Sequence, residues 1–134
     1  METIRTIYCD NLRTEAVHVN SGQKIITDAP LDNHGKGEAF SPTDLLSASL
    51  GSCMLTVMGI AARTHQIDIS GASMKITKIM ASDPRRVSEV KIEFSILGKN
   101  FSEKEKIILE KAAITCPVAL SLHPDLKQTV LFSY

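Results

Sequence analysis

The amino-acid sequence predicts an α+β fold with two layers, in which a long buried helix packs against β-strands. Two observations carry this prediction. Residues 40–62 are almost uninterrupted apolar and small residues behind a helix-start signal, whereas residues 67–82 and 87–97 alternate between apolar and polar side chains. A chain of 134 residues is long enough for one domain with a core and too short for two ordinary ones. We therefore expect a single domain over residues 1–134.

The first part of the chain is predicted to form a β-meander. Residues 3–8, 14–19 and 24–27 have the composition of short strands, and Asn-Ser-Gly at 20–22 supplies a turn between the second and the third. Residues 28–39 contain two glycines, a proline and an asparagine, which indicates a loop. Three short strands cannot bury a fully apolar helix alone, so later segments must help to cover it.

The central helix has the best-defined start in the sequence. Ser41 occupies the N-cap position, Pro42 takes the first helical position, and Asp44 completes a capping box with Ser41. The helix behind this cap is apolar on every side, so we expect it to be covered on every side. Cys53 lies in its middle and is expected to be a buried or half-buried thiol.

A β-hairpin is predicted after the central helix. Residues 67–82 and 87–97 form its two long strands, and Asp83-Pro84 forms the turn between them. The apolar alternation of the second strand slips by one residue at 88–89.

The C-terminal part is predicted to contain two helices and a closing strand. Ser102 and Glu105 form a second capping box ahead of an amphipathic helix. A short helix over residues 117–122 begins directly after Cys116, and residues 128–132 form the closing strand. The predicted order is therefore β-β-β-α-β-β-α-α-β.

Composition and charge argue against several classes of partner. Lys plus Arg and Asp plus Glu both number 15, and no basic block is present, so we expect no nucleic-acid partner. Charges appear in the first residues before any apolar h-region, so we expect no signal peptide or membrane anchor and a cytoplasmic location. The central apolar stretch contains Ser, Thr and Gly behind a good cap, which favours a core helix over a membrane span.

The three cysteines are widely spaced and odd in number. Cys9, Cys53 and Cys116 therefore do not fit a secreted domain held by disulfides. In a reducing compartment they are either inert core residues or reactive thiols, and we interpret Cys9 as a strand residue that fills the core or the surface. A zinc site is not expected, because the cysteines and the four histidines contain no close ligand pair.

Two cysteine-containing elements occur in register with the predicted helices. Pro42, Leu45 and Cys53 form a Pro-x-x-Leu-(x)7-Cys element, and Cys116 is followed by Pro117. Together with the order of strands and helices, these elements resemble the OsmC/Ohr family, the osmotically inducible and organic hydroperoxide resistance proteins. The resemblance covers nearly the whole chain and implies the OsmC-like fold and an intertwined homodimer.

The resemblance implies a thiol peroxidase that works without metal or flavin, so no cofactor is expected. In the family, the residue that corresponds to Cys53 attacks the O–O bond of a peroxide as a thiolate and becomes a sulfenic acid. The residue that corresponds to Cys116 then condenses with it to a disulfide. An external dithiol, such as a lipoylated protein, reduces that disulfide.

The family also has an arginine near the N-terminal strands, held by a glutamate directly after the helix-start proline. Arg13 is the best match for this arginine, and a guanidinium stays charged when it is partly desolvated. Thr43 occupies the glutamate position, and the carboxylate comes one residue later as Asp44. Helical geometry puts Asp44 on the face opposite Cys53, which favours a role as a cap only. The alternative is that Asp44 is the partner of Arg13.

The residues themselves leave an alternative function open. Cys116 stands at a helix start, where N–H groups favour an anion, so it is expected to be the more acidic thiol. Nothing on the central helix favours a thiolate at Cys53, so a cation must come from another segment. Without that cation, the chain would be a module that senses redox state or binds a small apolar ligand without peroxidase turnover.

His123 could act on the Cys116 proton or only end the short helix.

Overall fold

A computed structural model describes all 134 residues, and the chain divides into two compact units, Met1–Leu46 and Ser47–Tyr134. The strands are β1 (Ile4–Tyr8), β2 (Arg13–His18), β3 (Lys24–Asp28), β4 (Ser73–Ala81), β5 (Arg86–Ser95) and β6 (Lys127–Ser133). The helices are α1 (Pro42–Thr64), α2 (Glu103–Ile114) and α3 (Pro117–Ser121), with one 3₁₀ turn at Leu31–Asn33. The predicted fold class and order of elements are confirmed.

The N-terminal unit contains an antiparallel sheet in the order β1-β2-β3. At the turn between β2 and β3, the His18 N–H donates to the Gln23 carbonyl and the Gly22 N–H donates to the His18 carbonyl. Gly22 has a φ of 74°, which glycine adopts without strain. The resulting register places Arg13 directly opposite Asp28. Every side chain of β1 is exposed, so this sheet leaves an open surface.

The loop after β3 folds back onto the end of that strand. The Asp28 N–H donates to the Phe40 carbonyl at 3.0 Å, and the Gly37 N–H donates to the Ala29 carbonyl at 3.2 Å. A Cβ atom at Gly35 would lie 1.7 Å from the Ala29 carbonyl oxygen, so only glycine fits this close approach. The loop therefore has a defined path between β3 and α1.

The N-terminus of α1 has the predicted capping box. Ser41 Oγ accepts a hydrogen bond from the Asp44 N–H at 3.0 Å, and the Asp44 carboxylate accepts one from the Ser41 N–H at 3.0 Å. Pro42 is the first residue of the helix. Local sequence chemistry therefore determines where the helix begins.

One face of α1 is buried. The buried residues recur every three or four positions, which is the spacing of a single helix face: Ser47, Leu50, Gly51, Met54, Met58 and Ala62. The expectation that the chain covers α1 on every side is wrong for a single chain, because Ile60 is 61% exposed. By length and composition α1 could also cross a membrane, a property that core helices of soluble proteins share.

Helix α1 approaches β4 closely at Gly51. A Cβ atom there would lie 2.5 Å from Cδ1 of Ile76 and 3.0 Å from Sδ of Met74. Because Gly51 has no side chain, these two β4 residues pack directly against the helix backbone. This close contact lies two residues before Cys53.

The C-terminal unit contains a sheet in the order β4-β5-β6, with β4 antiparallel and β6 parallel to β5. The slip in apolar alternation at 88–89 coincides with a β-bulge. Ile79 pairs with Glu89 whereas Met80 pairs with Val87, which leaves Ser88 as the extra residue. The Ser88 hydroxyl donates to the Ile79 carbonyl at 3.0 Å.

Strand β4 is shorter than the predicted strand over residues 67–82. It begins at Ser73 because a turn precedes it, in which the Asp68 carboxylate accepts from the Ser70 N–H at 2.9 Å and Gly71 has a φ of 80°.

The core of the C-terminal unit consists of apolar side chains from the helices, from β5 and from the residue after it: Leu50, Met54, Met58, Val90, Ile92, Phe94, Ile96, Leu109 and Ala113.

The two C-terminal helices follow one another almost without interruption. The capping box of α2 is confirmed, with hydrogen bonds in both directions between Ser102 and Glu105. Helix α3 ends at Ser121, one residue before the predicted end, and Leu122 after it has extended backbone angles. The N-cap of α3 is Cys116.

Candidate active site

Cys53 lies in the middle of α1, at the edge of the buried helix face. Met54, the next residue, is fully buried, whereas Cys53 is half-buried. Cys53 therefore lies between the apolar core and the surface of the chain. A thiol in this position is next to apolar atoms while part of its residue remains accessible.

Cys116 is fully buried at the start of α3. Its Sγ accepts a hydrogen bond from the Ala119 N–H at 3.4 Å, in the manner of an N-cap side chain. The Cys53 side chain lies near enough to Cys116 to raise its pKa, and both are free cysteines. The fold thus brings together two thiols that lie 63 positions apart in the sequence.

Burial raises the pKa of the Cys116 thiol above its ordinary value. The Ala119 N–H opposes this effect, the contact with Cys53 raises the pKa further, and the Val118 N–H lowers it slightly. The expectation that the helix start makes Cys116 an acidic thiol is therefore wrong. The sequence shows the helix start, but it does not show that the sulfur is removed from water.

We expect the rate of disulfide closure between Cys53 and Cys116 to keep rising with pH above the pKa of an ordinary thiol. Closure needs the thiolate of Cys116 to attack an oxidised Cys53, and the raised pKa of Cys116 keeps its thiol protonated at neutral pH. The measurement is an acid-quench series after mixing with cumene hydroperoxide, with disulfide counted by mass spectrometry. A closure rate that levels off below about pH 8.5, the ordinary thiol pKa, would contradict this prediction.

Arg13, the predicted cation, begins β2 in the N-terminal unit. Its Nε donates to Oδ1 of Asp28 at 2.7 Å, and its Nη2 donates to Oδ2 of the same carboxylate at 2.8 Å. Nη2 also donates to Oε2 of Glu38 at 3.3 Å. The two parallel bonds fix the plane of the guanidinium. The Arg13 side chain remains 32% exposed, so it is not enclosed by its partners.

Asp28, the main partner of Arg13, was not predicted from the sequence. It is 1% exposed, it is the last residue of β3, and it also accepts a hydrogen bond from the Glu38 N–H at 3.1 Å. The predicted meander held only part of the signal. Counting outward from a turn at 20–22 places residue 28 opposite Thr14, whereas the observed turn is one residue longer and places it opposite Arg13. The predicted strands also stopped one residue short of this pair.

A left-handed turn leads directly into Arg13. Asp10, Asn11 and Leu12 have φ values of 63°, 53° and 62°, a conformation that is unfavourable for residues with a side chain. The Cys9 N–H donates to the Arg13 carbonyl at 2.9 Å and closes the turn. Such strain persists only where the surrounding structure maintains it. Here the N–H and the carbonyl of Arg13 are both hydrogen-bonded within the turn, to Asp10 and Cys9.

We expect the pair formed by Arg13 and Asp28 to make the protein sensitive to acid. The hydrogen bond from Arg13 holds the pKa of the Asp28 carboxyl below its ordinary value. Because the folded-state pKa is the lower one, the pair stabilises the fold above about pH 4 and loses this effect as the pH falls further.

The measurement is the melting temperature as a function of pH for wild type and Asp28→Asn. The variant should be less stable at neutral pH and should lose part of the acid dependence. Asp125→Asn is the matched control, because that side chain is 76% exposed. An unchanged acid dependence in Asp28→Asn would contradict the prediction.

Asp44 forms the helix cap described above, and the guanidinium of Arg13 is bonded to Asp28 and Glu38. The hydrogen bonds thus give Arg13 carboxylate partners that the sequence analysis did not name. A direct role of Asp44 in the reaction stays a prediction.

Two further residues considered in the sequence lie on the surface. Cys9 is exposed. His123 is exposed as well, and its Nδ1 accepts a hydrogen bond from the Asp125 N–H at 3.0 Å, a local bond at the end of α3. This bond accounts for the position of His123 without a role in proton transfer.

Comparison with known protein families bears on this pair of thiols. A family model described as OsmC-like protein matches residues 35–130, a stretch that includes both Cys53 and Cys116. The chain belongs to the OsmC family. A comparison with curated proteins finds no match.

Solved structures of OsmC proteins have the same fold. A candidate osmotic stress-induced and detoxification response protein from Psychrobacter arcticus 273-4 is 53% identical, with a TM-score of 0.95 over 99% of this chain and 96% of that one. An OsmC-like protein from Mycoplasma pneumoniae is 22% identical, with a TM-score of 0.80 over 97% and 94%. An organic hydroperoxide resistance protein OsmC from Legionella pneumophila is 18% identical, with a TM-score of 0.78 over 98% and 95%.

The thiol pair gives this OsmC protein a defined redox chemistry. Two thiols in contact can lose two electrons and two protons together and form one disulfide, which another dithiol can reduce again. The half-buried Cys53 is the member of the pair that a reagent can approach, whereas the fully buried Cys116 is not. The two thiols therefore differ in their access to solvent.

Proposed function

We propose that this OsmC protein is a thiol peroxidase that reduces organic hydroperoxides or hydrogen peroxide. The contact between the half-buried Cys53 and the fully buried Cys116 supports this proposal. Membership of the OsmC family and the similarity in fold to organic hydroperoxide resistance proteins support a peroxide as the substrate.

The reaction proceeds in two balanced steps. In the first, the Cys53 thiolate attacks the terminal oxygen of ROOH, the O–O bond breaks, and RO⁻ takes up a proton to leave as ROH while Cys53 becomes a sulfenic acid. In the second, the Cys116 thiolate attacks the sulfenic sulfur, and hydroxide leaves and takes up a proton to form water. The product is the Cys53–Cys116 disulfide.

Arg13 supplies the cation that Cys53 lacks on its own helix. Its guanidinium is fixed in orientation by Asp28 and is partly exposed. It can therefore stabilise the Cys53 thiolate and the alkoxide oxygen that is released when the O–O bond breaks. In this role Asp28 takes the place of the family glutamate, with Glu38 as an additional partner. Asp44 caps the start of α1, and its direct role in the reaction stays a prediction.

An external dithiol reduces the disulfide and completes the cycle. A lipoylated protein is suited to this task, because its two sulfurs form a stable cyclic disulfide after they have reduced the enzyme. We place the protein in the cytoplasm, where thiols are kept reduced between turnovers. No metal or flavin takes part.

The functional form is a homodimer. Large apolar side chains remain exposed on a single chain, among them Ile4 at 59%, Ile60 at 61%, Ile107 at 64% and Leu120 at 73%. Exposed apolar surface on several elements is typical of an oligomer interface. Light scattering coupled to gel filtration should give twice the chain mass of 14.6 kDa, and a monomer at micromolar concentration would contradict the dimer.

Counting thiols tests the peroxidase. One equivalent of cumene hydroperoxide should remove two of the three thiols of each reduced chain, and excess dihydrolipoamide should then sustain consumption of many equivalents. A thiol content that stays unchanged after peroxide would overturn the proposal.

A redox-sensing module is the second candidate, and one observation favours it. Arg13 is paired with two carboxylates, Asp28 and Glu38, which offset its charge before any thiolate is present. A sensor would lose two thiols to one equivalent of peroxide but would not sustain turnover with any dithiol. The turnover measurement therefore separates the two functions.

A further inference from the structure

Helix α3, which carries Cys116 at its start, is too short to hold itself together. It has five residues, so most of its N–H and C=O groups have no partner within the helix. The Leu120 N–H donates to the Cys116 carbonyl at 3.1 Å, and the Ser121 hydroxyl donates to the Pro117 carbonyl at 2.7 Å. The position of α3 therefore depends on contacts with other elements.

Gln128 on β6 provides one such contact. Its side-chain amide Nε2 donates to the Ala119 carbonyl at 3.0 Å. Ala119 is buried, so this carbonyl has little access to water and would be costly to leave without a partner. Gln128 itself is opposite Val90 in the register between β6 and β5, so its backbone is part of the sheet.

Ala119 connects Gln128 to the sulfur of Cys116. The carbonyl of Ala119 accepts from Gln128, and the N–H of the same residue donates to Cys116 Sγ at 3.4 Å. A shift of Ala119 would therefore move the donor that orients the thiol. The chain of contacts runs from the sheet through one residue of α3 to the Cys53–Cys116 pair.

Disulfide formation changes what holds α3 in place. Sulfur is a weak hydrogen-bond acceptor, and a bond to the sulfur of Cys53 would set the position of Cys116 Sγ, so we infer that the hydrogen bond from the Ala119 N–H weakens in the disulfide. The bond from Gln128 does not involve a sulfur atom, so it persists in both redox states. Its relative contribution to the position of α3 is larger in the disulfide state.

We propose that Gln128 is a positioning residue for Cys116, which keeps α3 docked on the sheet while the sulfur exchanges its cap for the bond to Cys53. The inference rests on the proposed function only for the source of the oxidant. Gln128 raises the effective concentration of Cys116 at Cys53, because a helix that cannot move away presents its thiol at all times.

The test uses two substitutions of Gln128 and one matched control. Gln128→Met keeps a side chain of similar length without a donor, and Gln128→Glu keeps the shape but presents a carboxylate to the Ala119 carbonyl. Thr129→Val is the control, because Thr129 on the same strand donates to Glu89 and not to α3.

The first measurement is the dithiol–disulfide equilibrium in mixtures of reduced and oxidised dithiothreitol, which needs no peroxide. Both Gln128 variants should form the Cys53–Cys116 disulfide up to about tenfold less readily than wild type, because without this bond α3 is undocked in part of the reduced chains and must redock before the disulfide can close. Thr129→Val should match wild type. Equal equilibria in all four proteins would overturn the proposal.

The second measurement separates the two steps after mixing with cumene hydroperoxide. Sulfenic acid on Cys53 should form at the wild-type rate in both Gln128 variants, whereas closure of the disulfide should slow about tenfold. If wild-type thiols do not react with peroxide, the proposed function fails, while the dithiothreitol equilibrium still decides on Gln128. Loss of the native melting transition in both Gln128 variants would also overturn the proposal, since Gln128 would then be a general structural residue.

Discussion

Replacing Cys53 with serine is expected to abolish peroxide turnover, whereas replacing Cys116 with serine should leave a single round of oxidation. Serine at position 53 cannot form a sulfenic acid, so no later step can begin. In Cys116→Ser the first step remains, and the sulfenic acid on Cys53 persists because its partner in the contact is lost. Consumption of cumene hydroperoxide with dihydrolipoamide measures turnover, and trapping with dimedone measures the sulfenic acid.

Cys9→Ser is the control for these two variants. Cys9 is exposed and lies in the N-terminal unit, so its loss should leave turnover at the wild-type level. Full activity in Cys53→Ser would exclude Cys53 as the nucleophile. Equal activity of Cys116→Ser and wild type would show that the external dithiol attacks the sulfenic acid directly, and the buried thiol would then have no role in the cycle.

Replacing Arg13 is expected to have the second-largest effect. Arg13→Ala should lower kcat/KM for cumene hydroperoxide by about 10² to 10³, the usual effect of removing one group that stabilises charge in a transition state. Arg13→Lys should recover little of this, because an ammonium cannot make the two parallel bonds that Arg13 makes with Asp28. The measurement is the rate of Cys53 oxidation in a single turnover.

The carboxylates around Arg13 provide graded controls. Asp28→Asn keeps the shape but removes the charge and one acceptor, so the guanidinium loses its fixed orientation and the rate should fall about tenfold. Glu38→Gln should change the rate little, because Glu38 is 64% exposed and its bond to Arg13 is the longest of the three. If Arg13→Ala oxidises Cys53 at the wild-type rate, another group stabilises the thiolate.

Much of the fold could be predicted because local chemistry determines it. The capping boxes at Ser41 and Ser102 mark the starts of α1 and α2, and both form as predicted. The slip in alternation at Ser88 was visible in the sequence and lies at the bulge, because an extra residue interrupts the period-two alternation of side chains across a strand. These signals are contained within a few neighbouring residues, so no knowledge of the tertiary structure was needed.

The candidate site was less predictable because tertiary structure determines its properties. The contact between Cys53 and Cys116 joins two helices, and no local pattern gives the distance between them. The helix start at Cys116 predicted an acidic thiol, but burial has the larger effect and raises its pKa. Gln128 carries no sequence signal at all, because a polar residue on a strand is usually a solvent-facing one.

The contact between the two thiols also has a consequence for the stability of the chain. A disulfide there would join residues 63 positions apart and enclose the hairpin of β4 and β5 together with α2. In the chain-entropy model, a cross-link over a loop of this length stabilises a fold by about 4 kcal/mol through restriction of the unfolded chain. The reduced form would then unfold more easily than the disulfide form. Exposure to peroxide would therefore protect the protein against proteolysis until a dithiol reduced the disulfide.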